Sequence, residues 1–250
     1  MMTPLAKPFE ELVGLPISSH SAEIGVHGTT VLALRFKEGV VTFADRRATM
    51  GNLIMFEQAE KIMSLDDFTV VAISGSFARS IEVCRYLKHS FKYYRRSVLQ
   101  YLSLEGKLAE VSRALAGNAP MAMEGIGIFI PIISAYDVDA DKFGIYFFDG
   151  AGAKFENAEY AATGSGSERI RGIFEYMRRV DGSFEEKSLD QVVEDGLHML
   201  DIAATLDSAT GGFSRIEPIV RVLTKEGNTS YEAKKLHKAM EKVLKAAKPL

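Results

Sequence analysis

This sequence predicts an α+β fold: two antiparallel sheets packed face to face, with a helix pair on each outer side. Three observations lead there. Segments with strand character and segments with helical spacing are segregated along the chain, in the order strands, two helices, strands, two helices, strand, helix. No repeat of solenoid period and no long Pro/Ser linker divides it. Its 250 residues, 47% of them hydrophobic, can bury a full core as one large domain or two small ones, and the sandwich uses all the apolar faces in one.

The elements follow in order. Thr30–Phe36 and Val40–Ala44 are β-rich runs joined by Lys37-Glu38-Gly39, read as a three-residue hairpin loop with glycine at a positive-φ position. Lys61–Met63 and Phe68–Ser74 form a second strand pair around Asp66-Asp67. Apolar residues at Phe77, Ile81, Cys84, Leu87 and Phe91 give helical spacing over Phe77–Arg96. Leu104–Leu115 is a second helix, closed by Gly117 and Pro120. Strands return at Gly125–Tyr136, Lys142–Phe148 and Phe155–Ala162, and helices at Ser167–Arg179 and Leu189–Thr205. A last strand, Ile216–Thr224, precedes an amphipathic helix at Tyr231–Ala247.

Composition excludes several functions. A formal net charge of −3 provides no global field to recruit nucleic acid or an anionic membrane. A single cysteine, Cys84, rules out an internal disulfide framework and a multi-thiolate zinc site, and its helical setting reads as a buried thiol. His20, His27, His89, His198 and His237 have no metal-ligand spacing, so no metal or cofactor is expected. The segment Met1–His27 is not a secretory signal, because Glu10, Glu11, Pro16 and the polar run Ser18–Ser21 interrupt its apolar residues. The longest uncharged apolar run, Gly125–Tyr136, falls well short of the roughly 20 residues a membrane-spanning helix needs. The expectation is a soluble, cytoplasmic protein. Lys88–Arg96 mixes bases with aromatics, but with Phe91 and Tyr94 inward it reads as a solvated or subunit-facing surface rather than a nucleic-acid site.

The chemistry begins at Gly28-Thr29, where patternless sequence meets the first strand. A cut there would put a hydroxyl and a free α-amine on one residue, Thr29. Such an amine titrates near ~7.7–8.0, so it can serve as base without a histidine. A threonine opening a strand is also simply a β-former. Asp45 ends the second strand and Lys61 heads the third, so adjacent antiparallel strands bring Thr29, Asp45 and Lys61 to one sheet edge. Taken singly, Asp45-Arg46-Arg47 reads equally as a surface turn, Lys61 as an edge gatekeeper, and Gly164–Ser167 as an anion cradle at a helix start.

Six short motifs in order bear on that choice: Gly-Thr-Thr at 28–30, Asp-Arg-Arg-Ala-Thr at 45–49, Lys61, Ser-Gly-Ser at 74–76, Gly-Ser-Gly-Ser at 164–167 and Asp-Ser-Ala-Thr-Gly-Gly at 207–212. In these the chain resembles the β-type subunits of 20S proteasomes, in the N-terminal-nucleophile hydrolase superfamily, and within them the bacterial, actinobacterial branch. The likeness runs from Gly28 to roughly Val222. It implies a four-layer αββα sandwich, a leader at 1–28 removed by autocatalytic cleavage, and a mature domain at 29–250. It implies Thr29 as nucleophile, Lys61 lowering its pKa, Asp45 as counter-ion of Lys61, and the Gly75 N–H as oxyanion donor. Ser165 and Asp207 match residues that hydrogen-bond the terminal amine and a water, and Thr210 stands where the family often has serine. Thr49 matches a position whose backbone pairs with substrate, and Ala48, Ala59, Met63, Ile73 and Phe77 match the lining of an apolar specificity pocket. The implied partners are α-type subunit rings, further copies of this chain in a ring, a ring-shaped ATPase and unfolded polypeptide substrates. Two other readings are a catalytically silent ring subunit and the simpler unfoldase-paired bacterial threonine peptidase, whose chains are shorter.

Overall fold

Thr30–Phe36 (β1) and Gly39–Ala44 (β2) are dense in β-branched and aromatic residues and form the centre of an antiparallel sheet. The computed structural model describes residues 28–51, 53–124, 127–157, 159–214 and 216–246. The expected leader with His20 and His27, the head of the expected strand at Gly125, and Ala247 lie outside the described residues. Tyr160–Gly164 (β10) flanks β1, while Ile219–Thr224 (β11) and Gly227–Ser230 (β12) complete the sheet beyond β2, in the order β10-β1-β2-β11-β12. A second antiparallel sheet runs in sequence order through Ile62–Asp66 (β5), Thr69–Ala72 (β6), Ile132–Asp137 (β7), Lys142–Phe148 (β8) and Lys154–Asn157 (β9).

Strand alternation sorts the core into layers. Along β1, Val31 and Ala33 join Ile62, Val70, Ala72, Ile132 and Ile145 between the two sheets. Leu32, Leu34 and Phe36 point the other way, onto the helices Ser167–Val180 (α3), Leu189–Leu206 (α4) and Ala233–Ala246 (α5). The outer face of the second sheet, through Val71, Ile73, Ile133 and Phe148, packs on Phe77–Val98 (α1) and Leu104–Met123 (α2). The result is the expected αββα sandwich, with α5 as a third helix on one side.

Local boundaries differ from expectation for identifiable reasons. The β1–β2 turn has Lys37-Glu38 alone, because Phe36 pairs with Gly39. Gly39 is not at positive φ; a Cβ there would lie 2.0 Å from the Leu223 carbonyl oxygen on β11, so close strand approach requires the glycine. Helix α2 continues past Gly117 and through Pro120 to Met123. Buried Asn118 ties that last turn down, accepting from Arg79 Nε (2.6 Å) and donating to the Gly127 carbonyl (2.7 Å). The run Phe155–Ala162 is two strands rather than one: β9 closes the second sheet and β10 edges the first. Expected Gly125–Tyr136 narrows to β7, since Pro131 has no N–H for a ladder. Tyr94 is partly exposed rather than inward, whereas Phe91 and Cys84 are buried, and burial pushes the Cys84 thiol to about 12. An unanticipated hairpin, Ala48–Met50 (β3) and Leu53–Phe56 (β4), exposes roughly half of each β4 side chain. Among the described residues no helix is long and apolar enough to cross a membrane.

Candidate active site

Thr29 immediately precedes β1 and Asp45 immediately follows β2, and the register Val31↔Ala44 puts both at one end of the first sheet. Lys61 directly precedes β5, which belongs to the other sheet. The three therefore do not share one sheet edge as expected; they meet at a common end of the sandwich, with the Asp45–Lys61 contact bridging the layers. Lys61 Nζ lies 2.7 Å from Asp45 Oδ1, and the two side chains are 1% and 0% exposed. That burial excludes both the surface-turn and the gatekeeper readings of these residues.

Two charges so far from water need both pairing and hydrogen bonds. Asp45 Oδ1 also accepts the Thr30 N–H (3.0 Å), and Oδ2 accepts from the Arg47 N–H (2.9 Å) and the Gly211 N–H (2.8 Å). Burial holds the Lys61 pKa below the ordinary lysine value, with the Asp45 charge pulling it back up. The two effects oppose each other, and Asp45 is the partner that holds the ammonium in this buried position.

A second polar group comes from the other side of the site. Ser165 lies between β10 and α3, and Asp207 is the residue that ends α4. Ser165 Oγ donates to Asp207 Oδ2 at 2.6 Å, and Thr210 Oγ1 donates to the same oxygen at 2.5 Å. Thr210 Oγ1 in turn stands 2.6 Å from Thr30 Oγ1, which accepts the Gly166 N–H at 3.1 Å. That amide is thus occupied within the protein rather than cradling an anion. The Arg47 guanidinium holds the loop, donating to the carbonyls of Ser208 (3.0 Å) and Thr210 (3.4 Å) while pairing with Glu57.

Gly75 has φ +95°, and a Cβ there would sit 2.1 Å from the Ile128 carbonyl oxygen. It faces Phe129 across an antiparallel bridge whose hydrogen bonds are made by its neighbours: Ser76 N–H to Ile128 O (2.6 Å) and Ile130 N–H to Ser74 O (3.1 Å). The Gly75 N–H consequently points to the opposite edge, the side on which Ile73 donates to Lys61 O (2.9 Å). An amide so aimed can meet a developing negative charge.

Of the expected pocket residues, Met63, Ile73 and Phe77 belong to one apolar cluster under α1, with Ile73 buried and the other two half-buried. Half-buried Ala48 and buried Thr49 stand on the β3 strand, and buried Ala59 donates its N–H to Arg46 O (2.9 Å). Thr49 Oγ1 accepts the Gly28 N–H at 3.0 Å, and a Cβ on Gly28 would overlap the Ala209 Cβ at 1.8 Å. Sequence reasoning missed Thr30, Arg47 and Gly211. All three were signalled only by their places in the motifs at 28–30, 45–49 and 207–212, and the contacts of the last two depend on the 207–212 loop folding against the end of β2.

Comparison with known proteins agrees with this architecture. The family model described as Proteasome subunit matches residues 26–219. The chain is 39% identical over 204 residues to the Proteasome subunit beta of Streptomyces griseus subsp. griseus, covering 80% of this chain and 70% of that protein. It is 37% identical over 208 residues to the Proteasome subunit beta of Acidothermus cellulolyticus (80% and 70%), and 35% identical over 208 residues to that of Frankia alni (82% and 74%). With a family model spanning most of its length and this sandwich as its fold, the chain belongs to the proteasome subunit family, as a β-type member with N-terminal-nucleophile hydrolase architecture.

Proposed function

We propose that this chain is a catalytic β subunit of a proteasome core particle, a threonine endopeptidase made as a precursor and activated by cutting itself at Gly28-Thr29. The observation that carries the reading is the Asp45–Lys61 pair, buried across the two sheets and hydrogen-bonded to the amide of the residue after Thr29. A silent ring subunit has no need of a desolvated lysine at that point.

In the precursor, Thr29 Oγ attacks the Gly28 carbonyl carbon while a water takes its proton. The C–N bond breaks as its nitrogen receives that proton from the water, the acyl group passes to oxygen as an ester, and the α-amine is freed. Water then hydrolyses the ester, releasing residues 1–28 with a new carboxylate and restoring the hydroxyl. In the mature protein the α-amine accepts the Thr29 proton, directly or through a water held with Ser165 and Asp207. The Lys61 charge favours the alkoxide, the Gly75 N–H binds the tetrahedral oxyanion, and the departing amine is protonated as the peptide C–N bond breaks. Hydrolysis of the resulting ester completes the cycle. Thr49 aligns an extended substrate, and Ala48, Ala59, Met63, Ile73 and Phe77 form an apolar pocket for the side chain on the N-terminal side of the cut. The setting is a chamber formed by rings of this chain between α-type rings in the cytoplasm, supplied with unfolded polypeptide by a ring-shaped ATPase.

The test is intact-mass measurement on particles co-expressed with an α-type subunit. The expected mature chain begins at Thr29, and Thr29→Ala retains residues 1–28 and is inactive. Active particles that retain Met1–Gly28 overturn the mechanism; inactive wild-type particles with an unprocessed leader favour the silent subunit.

A further inference from the structure

We infer that Thr30 is a positioning residue that locks the two polar halves of the site together through one directed chain of hydrogen bonds. The inference rests on the reading of Thr29 as nucleophile. Thr30 is wholly buried. Its backbone is tied to Asp45 twice: its N–H donates to Asp45 Oδ1 (3.0 Å), and its carbonyl accepts the Asp45 N–H (3.3 Å). Its hydroxyl reaches the other half, 2.6 Å from Thr210 Oγ1.

The direction of that chain is fixed by its ends. A backbone N–H can only donate, so Thr30 Oγ1 is an acceptor for Gly166. At the other end the Thr210 hydroxyl donates its one proton to Asp207 Oδ2. The contact between the two threonine hydroxyls then has a single solution: Thr30 donates to Thr210. The sequence runs Gly166 N–H to Thr30, Thr30 to Thr210, Thr210 to Asp207, and Asp207 Oδ2 also accepts from Ser165. No hydroxyl rotor within it is free. Glycine at 166 is part of the device, because a Cβ there would lie 2.3 Å from Thr30 Oγ1 and 2.8 Å from Thr210 Oγ1.

Thr30 thereby fixes the Thr29 backbone to Asp45 on one side and orients Asp207 and Ser165 on the other. Losing its hydroxyl leaves the Gly166 N–H buried without an acceptor and lets the Thr210 and Asp207 side chains turn. Misplacement of this kind affects the chemical step more than substrate capture.

The experiment compares Thr30→Val, Thr30→Ser and Thr29→Ala in co-expressed particles, following leader removal by intact mass, steady-state hydrolysis of a fluorogenic peptide, and melting temperature. Thr30→Val keeps the β-branched shape and is expected to lower kcat on the order of 100-fold with KM unchanged. Thr30→Ser keeps the oxygen and is expected to restore most of the kcat. A normal kcat in Thr30→Val, a loss confined to KM, or a Ser variant that assembles yet falls as far as Val overturns the inference. If Thr30→Val does not assemble, the Ser variant decides alone. Thr29→Ala separates the two ideas: activity that survives it removes the threonine-peptidase reading itself, whereas its inactivity beside a normal Thr30→Val removes only the positioning role.

Discussion

Replacing Lys61 with alanine separates its chemical contribution from its structural one. The substitution leaves the Asp45 carboxylate fully buried and without its cation, though still accepting from the amides of Thr30, Arg47 and Gly211. Breaking a buried pair from one side costs about 3–5 kcal/mol. For a domain of this size that is a fall in melting temperature of roughly 6–20 °C, read against wild type at equal subunit concentration. Peptide hydrolysis should fall at least ~100-fold, the scale of losing one preorganised electrostatic group. Leader removal should slow in parallel, because it uses the same alkoxide. The double variant Lys61→Ala/Asp45→Asn removes both charges, so part of the lost stability returns. The recovery is incomplete because an asparagine amide offers a donor where one of the facing N–H groups needs an acceptor. Activity should stay lost, and Lys61→Arg should not restore it, since a planar fork does not replace a compact ammonium. Near-normal hydrolysis in Lys61→Ala, or activity returning with stability in the double variant, refutes the reasoning.

Two further outcomes are expected. Gly28→Ala places a methyl group on Ala209 and should slow leader removal sharply, measured as precursor half-life by intact mass, while chains that do mature keep wild-type kcat because residue 28 is then gone. Fluorogenic peptides ending in Leu, Phe or Tyr should be cut much faster than those ending in Arg, Lys or Glu. An apolar side chain gains roughly 1.5–3 kcal/mol on burial, whereas a charged one finds no partner among Ala48, Ala59, Met63, Ile73 and Phe77; equal rates after Arg and Leu would overturn that pocket assignment.

The layered architecture was legible because most of its strands and helices carry their own period, the short β3, β4 and β12 excepted. Alternation in β1 and three-to-four spacing in α1 are local properties, and both survive into the structure. What a local pattern cannot report is which neighbour a segment meets. The run 155–162 reads as one strand, yet the chain leaves one sheet and enters the other within it. Pro120 reads as a stop, yet the tertiary contacts of Asn118 carry the helix past it. At the site, the residue types of Thr29, Asp45 and Lys61 drew attention from the sequence, but their meeting across two sheets rather than along one edge did not. Thr30, Arg47 and Gly211 stood within the motifs but without a role, because the contacts that give them one include partners 136 to 180 residues away in the chain.

Because Asp45 leaves the first sheet and Lys61 enters the second, the centre has no existence in either layer alone. A chain with one sheet formed, or with both formed but undocked, holds an ordinary aspartate and an ordinary solvated lysine beside an unremarkable threonine. The buried pair is created by the same event that excludes water from between the sheets. The timing of that pairing is thus written into the order of folding. A newly made chain cannot hold the Asp45–Lys61 pair until its own core has closed.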